Sequence, residues 1–413
     1  LMFGINIALF LEPLAKYGTY PVQERIFKQF LENNAMGGLM ITEKAYGSDA
    51  LNMKTAYQQL GESYQIKGEK HWQGLSGAAD FWLVTARKQA ENGDLSRDID
   101  FFVTENNNPA QHIPMVERYD NLGLYAIPYG INAIDVVVPE EQKLVPESTG
   151  IKLMLDMLHR SRLQFPGMGL GFIKRLLDES LQHCQQRIVG GAPLINIDSV
   201  KYQLARIQAA FTICSGMCAF SVKSSGIEHD LATMSIEANS LKALVTDMMQ
   251  ESAQISLQLA GANGYRLNHL AGRAVVDSRP FQIFEGSNEM LYAQIAEAVL
   301  KLMRKAKETH FLTFLESYDR TNISVDYFKS QVDFNLDGGL NQRDLVTLGR
   351  MISRMICFQF VLEMNGFNEQ LVELTRQHML MDLTMLNGQF MSKNHADPIV
   401  GYEENADWMN FIS

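Results

Sequence analysis

One carboxylate stands out by its setting. Glu285 follows the apolar pair Ile283-Phe284, precedes Gly286, and lies just upstream of a helix whose N-cap is Ser287 or Asn288. A carboxyl shielded by apolar neighbours has a raised pKa, as a base for a carbon acid requires, yet it must stay flexible enough to reach that carbon. Read without that context, the same residue is a surface Glu that helps to open a helix. Other residue types suit binding. Thr42 and Ser48 bracket Gly47, where a main chain without a side chain can come close to a ligand; an ordinary polar turn has the same composition. Trp72 offers a flat ring to stack on another ring, or a buried structural anchor. Arg187 carries a guanidinium able to hold a diphosphate through two parallel bonds, or is an exposed helix arginine. Asp333, Asn335, Asp337, Gly338, Leu340, Asn341 and Asp344 follow the spacing of a calcium-binding loop, with Asp in place of the longer Glu at the last ligand. A polar turn between helices is the simpler reading there.

The chain that positions these groups has 413 residues, enough for two or three domains, and its 46% hydrophobic composition can fill sizeable cores. A formal net charge of −11 argues against a broad grip on nucleic acid. Cys184, Cys214, Cys218 and Cys357 are too few and too scattered for a disulfide framework or a zinc site, and they read as reduced thiols of an intracellular, cytoplasmic protein. No apolar run reaches membrane-spanning length without Gly, Pro or charge interrupting it. The first ten residues lack a basic leader and a small-residue cleavage site, and the chain opens inside an apolar helical pattern. That opening reads as an incomplete N-terminal helical part.

The expected fold class is α+β. A helical segment covers 1–38, with breaks at Pro13, Gly18 and Pro21. Residues 39–148 form a β-barrel domain of short apolar runs (Leu39–Ile41, Tyr64–Ile66, Phe81–Ala86, Asp100–Val103, Ala133–Val138), with hairpins or bulges at Gly61, Gly68 and Asn92-Gly93. Residues 149–307 form a four-helix bundle with helices near Ile151–Gln186, Ser199–Ser224, His229–Ala260 and Asn288–Lys307. Pro166 with Gly167, Gly169 and Gly171 either kinks the first of these helices or lets a neighbour approach. Residues 308–413 form a helical extension, with helices near Asp344–Asn365 and Glu369–Ser392 and no catalytic signature.

Four separated segments, spread over about Ile5 to Met303, resemble the acyl-CoA dehydrogenase family in family order. Met40-Ile-Thr-Glu-Lys-Ala-Tyr-Gly-Ser-Asp49 is similar to the T-E-P-x-x-G-S-D loop, with Lys44 at the Pro position. Gly68-Glu-Lys-His-Trp72 through Ala79-Asp80 is similar to the G-x-K-x-W-I-T-N-G…A-D strand pair, with Gly74 where the family has Thr. His159-Arg-Ser-Arg162 and Gln186-Arg187-Ile-Val-Gly190 match the first long bundle helix, with Gly190 for Phe and Asp198 for Gln. Gln258-Leu-Ala-Gly261-Ala-Asn-Gly-Tyr265 leads to Asp277-Ser-Arg-Pro-Phe-Gln-Ile-Phe-Glu285-Gly-Ser-Asn-Glu289, which resembles R-D-A-x-x-x-x-I-Y-E-G-T-x-E.

The resemblance implies an FAD enzyme that oxidises an acyl-CoA between its α and β carbons to a trans-2-enoyl thioester, in fatty acid metabolism, with Glu285 as base. The family's other location for the base corresponds to Ser161, which cannot serve. The resemblance assigns Thr42, Ser48, Trp72, Gly74, Arg187, Gln258, Gly261, Ser287 and Glu289 to FAD, and Ser48, Arg162 and Gly286 to the substrate. No metal is implied. An electron-transfer flavoprotein is the implied acceptor. A homodimer or homotetramer follows from flavin sites built across subunits, with Arg187, Gln258 and Gly261 serving a neighbour. The missing Thr at Gly74 leaves a flavin oxidase or monooxygenase open, and the extension leaves a non-catalytic scaffold open. Glu297, where many members have Arg, and His159, at an often acidic position, leave another carrier open, such as an acyl carrier protein.

Overall fold

The computed structural model describes residues 1–47, 49–336, 338–364, 366–392 and 397–401. Three short helices open the chain: α1 (Met2–Asn6), continued by a π-turn at Ile7–Leu11, α2 (Glu12–Tyr17) and α3 (Tyr20–Asn33). Seven strands follow: β1 (Gly37–Met40), β2 (Ala56–Leu60), β3 (Ser63–His71), β4 (Phe81–Lys88), β5 (Asp100–Glu105), β6 (Met115–Arg118) and β7 (Gly130–Pro139). They form one curled sheet in the order β1-β4-β2-β3-β7-β6, with β5 on β4. β1 and β2 run parallel to β4, and the other pairs are antiparallel.

Side-chain alternation divides the sheet between two cores. Trp82, Val84, Ala86 and Phe102 face one, with Tyr57, Tyr64, Ile66 and Val136. Phe81, Leu83, Phe101 and Val103 face the other, against Phe10, Leu14 and Ile26 of the N-terminal helices and Leu153, Met154 and Met157 of the first bundle helix. β4 is therefore apolar on both faces, as a central strand covered twice must be. Two of the expected turn glycines are turns: Gly61 closes the β2–β3 hairpin and Gly93 lies between β4 and β5, both with positive φ. Gly68 is not. It sits in regular register opposite Ile134, where an added Cβ would lie 2.3 Å from the Thr55 hydroxyl, so the neighbour's approach accounts for the glycine.

The helical part holds α4 (Gly150–Gln186), a small hairpin of β8 (Ile188–Val189) and β9 (Ala192–Pro193), then α5 (Asp198–Ser224), α6 (Ser235–Ala260), α7 (Leu270–Ser278) and α8 (Asn288–Ala306). Thr149 caps α4 by accepting from Lys152 N at 3.2 Å. At 1.5 Å per residue this helix runs roughly 55 Å. It passes through Pro166 unbroken, and Gly169 supplies the close approach: a Cβ there would meet Val245 of α6 at 2.2 Å. α6 starts at Ser235, later than the periodicity predicts, because 225–234 folds back over α4. There Arg160 donates to the carbonyls of Ser225, Gly226 and His229.

The extension contributes α9 (Phe311–Ser317), α10 (Lys329–Val332), α11 (Gln342–Leu362) and α12 (Glu369–Met391). α11 lies across α8, α5 and α6, and α12 packs on α11 and α5. Arg206 of α5 pairs with Asp382 of α12 at 2.9 Å, and Arg354 of α11 shares that carboxylate at 3.0 Å. α5 and α11 are long and apolar enough to cross a membrane; half of the apolar stretch of α5 and most of that of α11 is buried within the protein. The loop before α11 carries the residues at calcium-loop spacing. Asp333 pairs with His310 at 3.1 Å, Asn341 accepts from Asp344 N as the cap of α11, and Asp337 lies outside the described residues.

The α8–α11 crossing is the tightest point of this layer, since a Cβ on Gly349 would sit 1.9 Å from the Tyr292 carbonyl oxygen. Gly349→Ala is expected to force the helices apart and lower stability by about 1–3 kcal/mol. Urea unfolding would show this as a lower midpoint at unchanged slope, and an unmoved midpoint would contradict the crossing.

Candidate active site

The site starts from two ladder ends. β3 and β7 pair over nine positions, from Ser63↔Pro139 to His71↔Ile131, and this delivers Trp72 to the end of the sheet. Trp72 is held there with φ 62 by its N–H to the Gly130 carbonyl at 3.1 Å. The residue is 52% exposed, so it is not a core anchor, and its ring leans on Tyr119 with centroids 4.5 Å apart. The Thr42 loop is fastened beside it. His71 N and the Gln73 amide both donate to the Thr42 carbonyl.

Beneath this lies a pair that sequence reading left without a role. Lys70 Nζ, 0% exposed, donates to Glu43 Oε1 at 3.0 Å, to the Ile41 carbonyl and to the Thr85 hydroxyl. Glu43 also accepts from Lys54 N and Thr55 N. Burial pushes the Lys70 ammonium down to about 8 against the upward pull of Glu43. Glu43 ends below its ordinary value, because Lys70 and the main-chain donors outweigh its own burial. The pair pins the 40–47 loop to the strand carrying Trp72. Ser48 lies outside the described residues.

Gly74 holds no gap for a missing side chain. A Cβ there would meet Ile5 Cδ1 at 2.7 Å, with Ile127 at 3.4 Å, so the first helix occupies the space.

On the bundle side, the chain turns from α7 into α8 through Glu285 and Gly286, at φ 54 and 92. Left-handed geometry at a Glu costs roughly 1–2 kcal/mol and needs outside support. Arg162 supplies part of it, giving Nε and Nη2 to the Glu285 carbonyl at 3.2 and 2.9 Å and Nη1 to Asn239 at 2.7 Å. Lys242 Nζ donates to the Gly286 carbonyl at 2.7 Å and to Asn288 Oδ1 at 3.0 Å. Among the described residues, the Glu285 carboxylate receives one bond, from the Ser161 hydroxyl to Oε1 at 2.9 Å, and its buried Oε2 has no hydrogen-bond partner. Although the residue is partly exposed as a whole, burial of the carboxylate raises its pKa. Ser161, Arg162 and Lys242 oppose that rise. The result is a carboxylate kept basic by lack of solvent, with one oxygen free to act.

The two halves meet at the β6–β7 loop. Leu124 N donates to Asp277 at 2.6 Å, and Arg273 lies over the Tyr125 ring at 4.2 Å. Arg187 stands exposed just past α4, where Gly190 and Gly191, both at positive φ, make the tight β8–β9 turn that a Phe at 190 would strain. Gln258 and Glu289 are exposed, Ser287 is partly buried, and Gly261 ends α6 at φ 63. Next to it, Tyr265 is 87% exposed. His159 faces the Leu231 carbonyl at 2.8 Å, and burial drives its pKa down to about 4, so it serves packing.

Family models agree with this layout. The acyl-CoA dehydrogenase middle-domain model matches residues 38–133, and the C-terminal-domain model matches 148–300. The chain belongs to the acyl-CoA dehydrogenase family. It is 24% identical over 298 residues to a short-chain-specific acyl-CoA dehydrogenase of Megasphaera elsdenii, covering 72% of this chain and 76% of that one. Among solved structures, an acyl-CoA dehydrogenase complexed with FAD from Bacillus anthracis aligns with a TM-score of 0.75 at 18% identity, over 96% of this chain and 75% of that one. That coverage takes in helices beyond α8. A prolyl acyl carrier protein oxidase shares the fold with a TM-score of 0.65 at 18% identity, over 72% and 77%.

Removing one member of the buried Lys70–Glu43 pair strands the other. Lys70→Met is expected to cost about 3–5 kcal/mol, and the double change Lys70→Met/Glu43→Gln less than the sum of the singles. A denaturant double-mutant cycle checks this, and additive losses would contradict it.

Proposed function

We propose that this chain is an FAD-dependent dehydrogenase of an acyl thioester, with Glu285 removing the α proton to leave a trans-2-enoyl product. The observation that carries the reading is the buried Glu285 carboxylate, raised in pKa, with an oxygen that has no hydrogen-bond partner among the described residues. A base so placed is shielded without being neutralised by an ion pair.

The residues suit the flavin. Trp72 is half-exposed, and Thr42 sits in a loop locked against that strand. Ser287 and Glu289 flank the start of α8, while Arg187, Gln258 and Gly261 lie on exposed positions able to serve a second copy's cofactor. Bound there, FAD would supply the acceptor for the β hydride. The protein's share is alignment. Ser161 steers the carboxylate, and main-chain N–H groups of the left-handed Glu285–Gly286 turn are the proposed donors for the thioester oxygen as charge builds on it. Arg162 supports the substrate end through the Glu285 peptide, which it holds by two bonds. An acyl-CoA is the proposed substrate and an electron-transfer flavoprotein the proposed acceptor, with FAD sites completed in a homo-oligomer.

A flavin oxidase is the second reading, favoured by Gly74, whose side-chain position is filled by Ile5 with no hydroxyl. Anaerobic mixing of the FAD-loaded protein with a panel of acyl-CoAs is expected to bleach the flavin, and Glu285→Gln to slow bleaching by about 10²–10⁴-fold with little change in apparent affinity. Bleaching that survives the substitution contradicts the assigned base. Oxygen uptake stoichiometric with turnover would move the assignment to the oxidase.

A further inference from the structure

The two cations beside Glu285 make no ion pair with it. Each grips a main-chain oxygen, one at Glu285 and the next at Gly286. We propose that Lys242 is a positioning residue for the base: its Nζ pins the Gly286 carbonyl while Arg162 pins that of Glu285, so the left-handed pair is fixed and the amine stays behind a carboxylate that remains free to react. This inference rests on Glu285 being the base and adds a group that no family motif points to.

The geometry fits that task better than a purely structural one. Lys242 is 0% exposed on α6, and among the described residues it forms no ion pair. A buried ammonium without a carboxylate is costly, and an apolar residue would pack there more cheaply. Its acceptors are themselves held. Asn288 donates to the Ala243 carbonyl at 3.0 Å and to Asp247 Oδ1 at 2.7 Å. Asp247 also receives the Gln282 amide and the Tyr292 hydroxyl, each at 2.7 Å. Lys242 is thus the tip of a buried network running from α8 and α6 to the base's own turn. An Nζ held this way acts on Glu285 by fixing the turn that carries it and by its field, without pairing with the carboxylate.

The charged groups facing Glu285 are Arg162 from α4 and Lys242 from α6, with Asp247 behind Lys242 and the neutral Ser161 in direct contact. Tyr292 of α8 faces Asp247, its phenol held protonated by burial. Burial pushes Lys242 itself down to about 7, with Glu285 pulling the other way, so its charge is sensitive to conditions around neutrality. Removing a positive charge raises a neighbouring carboxyl's pKa. The ionised base then appears only at higher pH.

The test uses FAD-loaded protein and the rate of acyl-CoA-dependent flavin reduction as a function of pH, in wild type, Lys242→Gln, Lys242→Met and Lys242→Arg. Lys242→Gln keeps a donor without the charge and guards against loss of folding in Lys242→Met. The expected result is a fall in kcat of about 10–100-fold in both neutral variants with KM within about threefold, as a small misplacement of the base would give. The acid limb should move up in both, and Lys242→Arg should restore the wild-type limb. A wild-type kcat and limb in Lys242→Gln overturns the proposal. A uniform loss with the limb in place also overturns it, since that is the signature of packing alone. Glu285→Gln, run in parallel, separates the two claims: if it keeps full activity, the base assignment has failed rather than the role of Lys242.

Discussion

The site depends on a carboxylate buried almost without compensation. Among the described residues, Glu285 has one hydroxyl donor at 2.9 Å and a second oxygen with none, in a position where a direct ion pair would lower its pKa and tie it down. The cations that lie near it are spent on peptide oxygens. That arrangement separates two demands that usually conflict: the turn is held by two cations, and the carboxylate on it is left without an ion pair.

Everything further out supports that turn or brings a partner surface toward it. The long α4 carries Ser161 and Arg162, α6 carries Lys242, and Gly169 lets the two helices approach closely enough for both to reach the same loop. The extension adds weight behind α8, where Gly349 contacts the Tyr292 carbonyl and Arg350 lies 5.5 Å from the Tyr292 ring. From the other side, the β3–β7 ladder fixes Trp72, and the Leu124–Asp277 contact joins the sheet to the helices. Strain at two left-handed residues is tolerated because two unrelated helices hold them.

Much of this was legible in the residues. The α+β order and five of the seven strands follow from alternation and turn glycines, and the long helices from their periodicity. β2 and β6 were not legible. Beyond Tyr57, β2 is exposed, and β6 is a mostly exposed edge, so neither shows a buried face to the sequence. Glu285 and Trp72 were found through motif order. Ser161 was set aside as unable to act as a base, and its hydroxyl donates to the Glu285 carboxylate. Lys242 left a signal that went unread: from Ser240 to Thr246 the helix is buried all round, and a lysine there demands a partner. Which carbonyl it holds depends on α8, more than forty residues away, and no local pattern records that.

The central claim is most directly tested by titrating the Glu285 carboxyl itself in the ligand-free holoenzyme, by infrared difference spectra of wild type against Glu285→Gln. A midpoint above the ordinary glutamate value of about 4.3 is the outcome this account predicts. A midpoint at or below that value would mean that the carboxylate is solvated or ion-paired, and would contradict it.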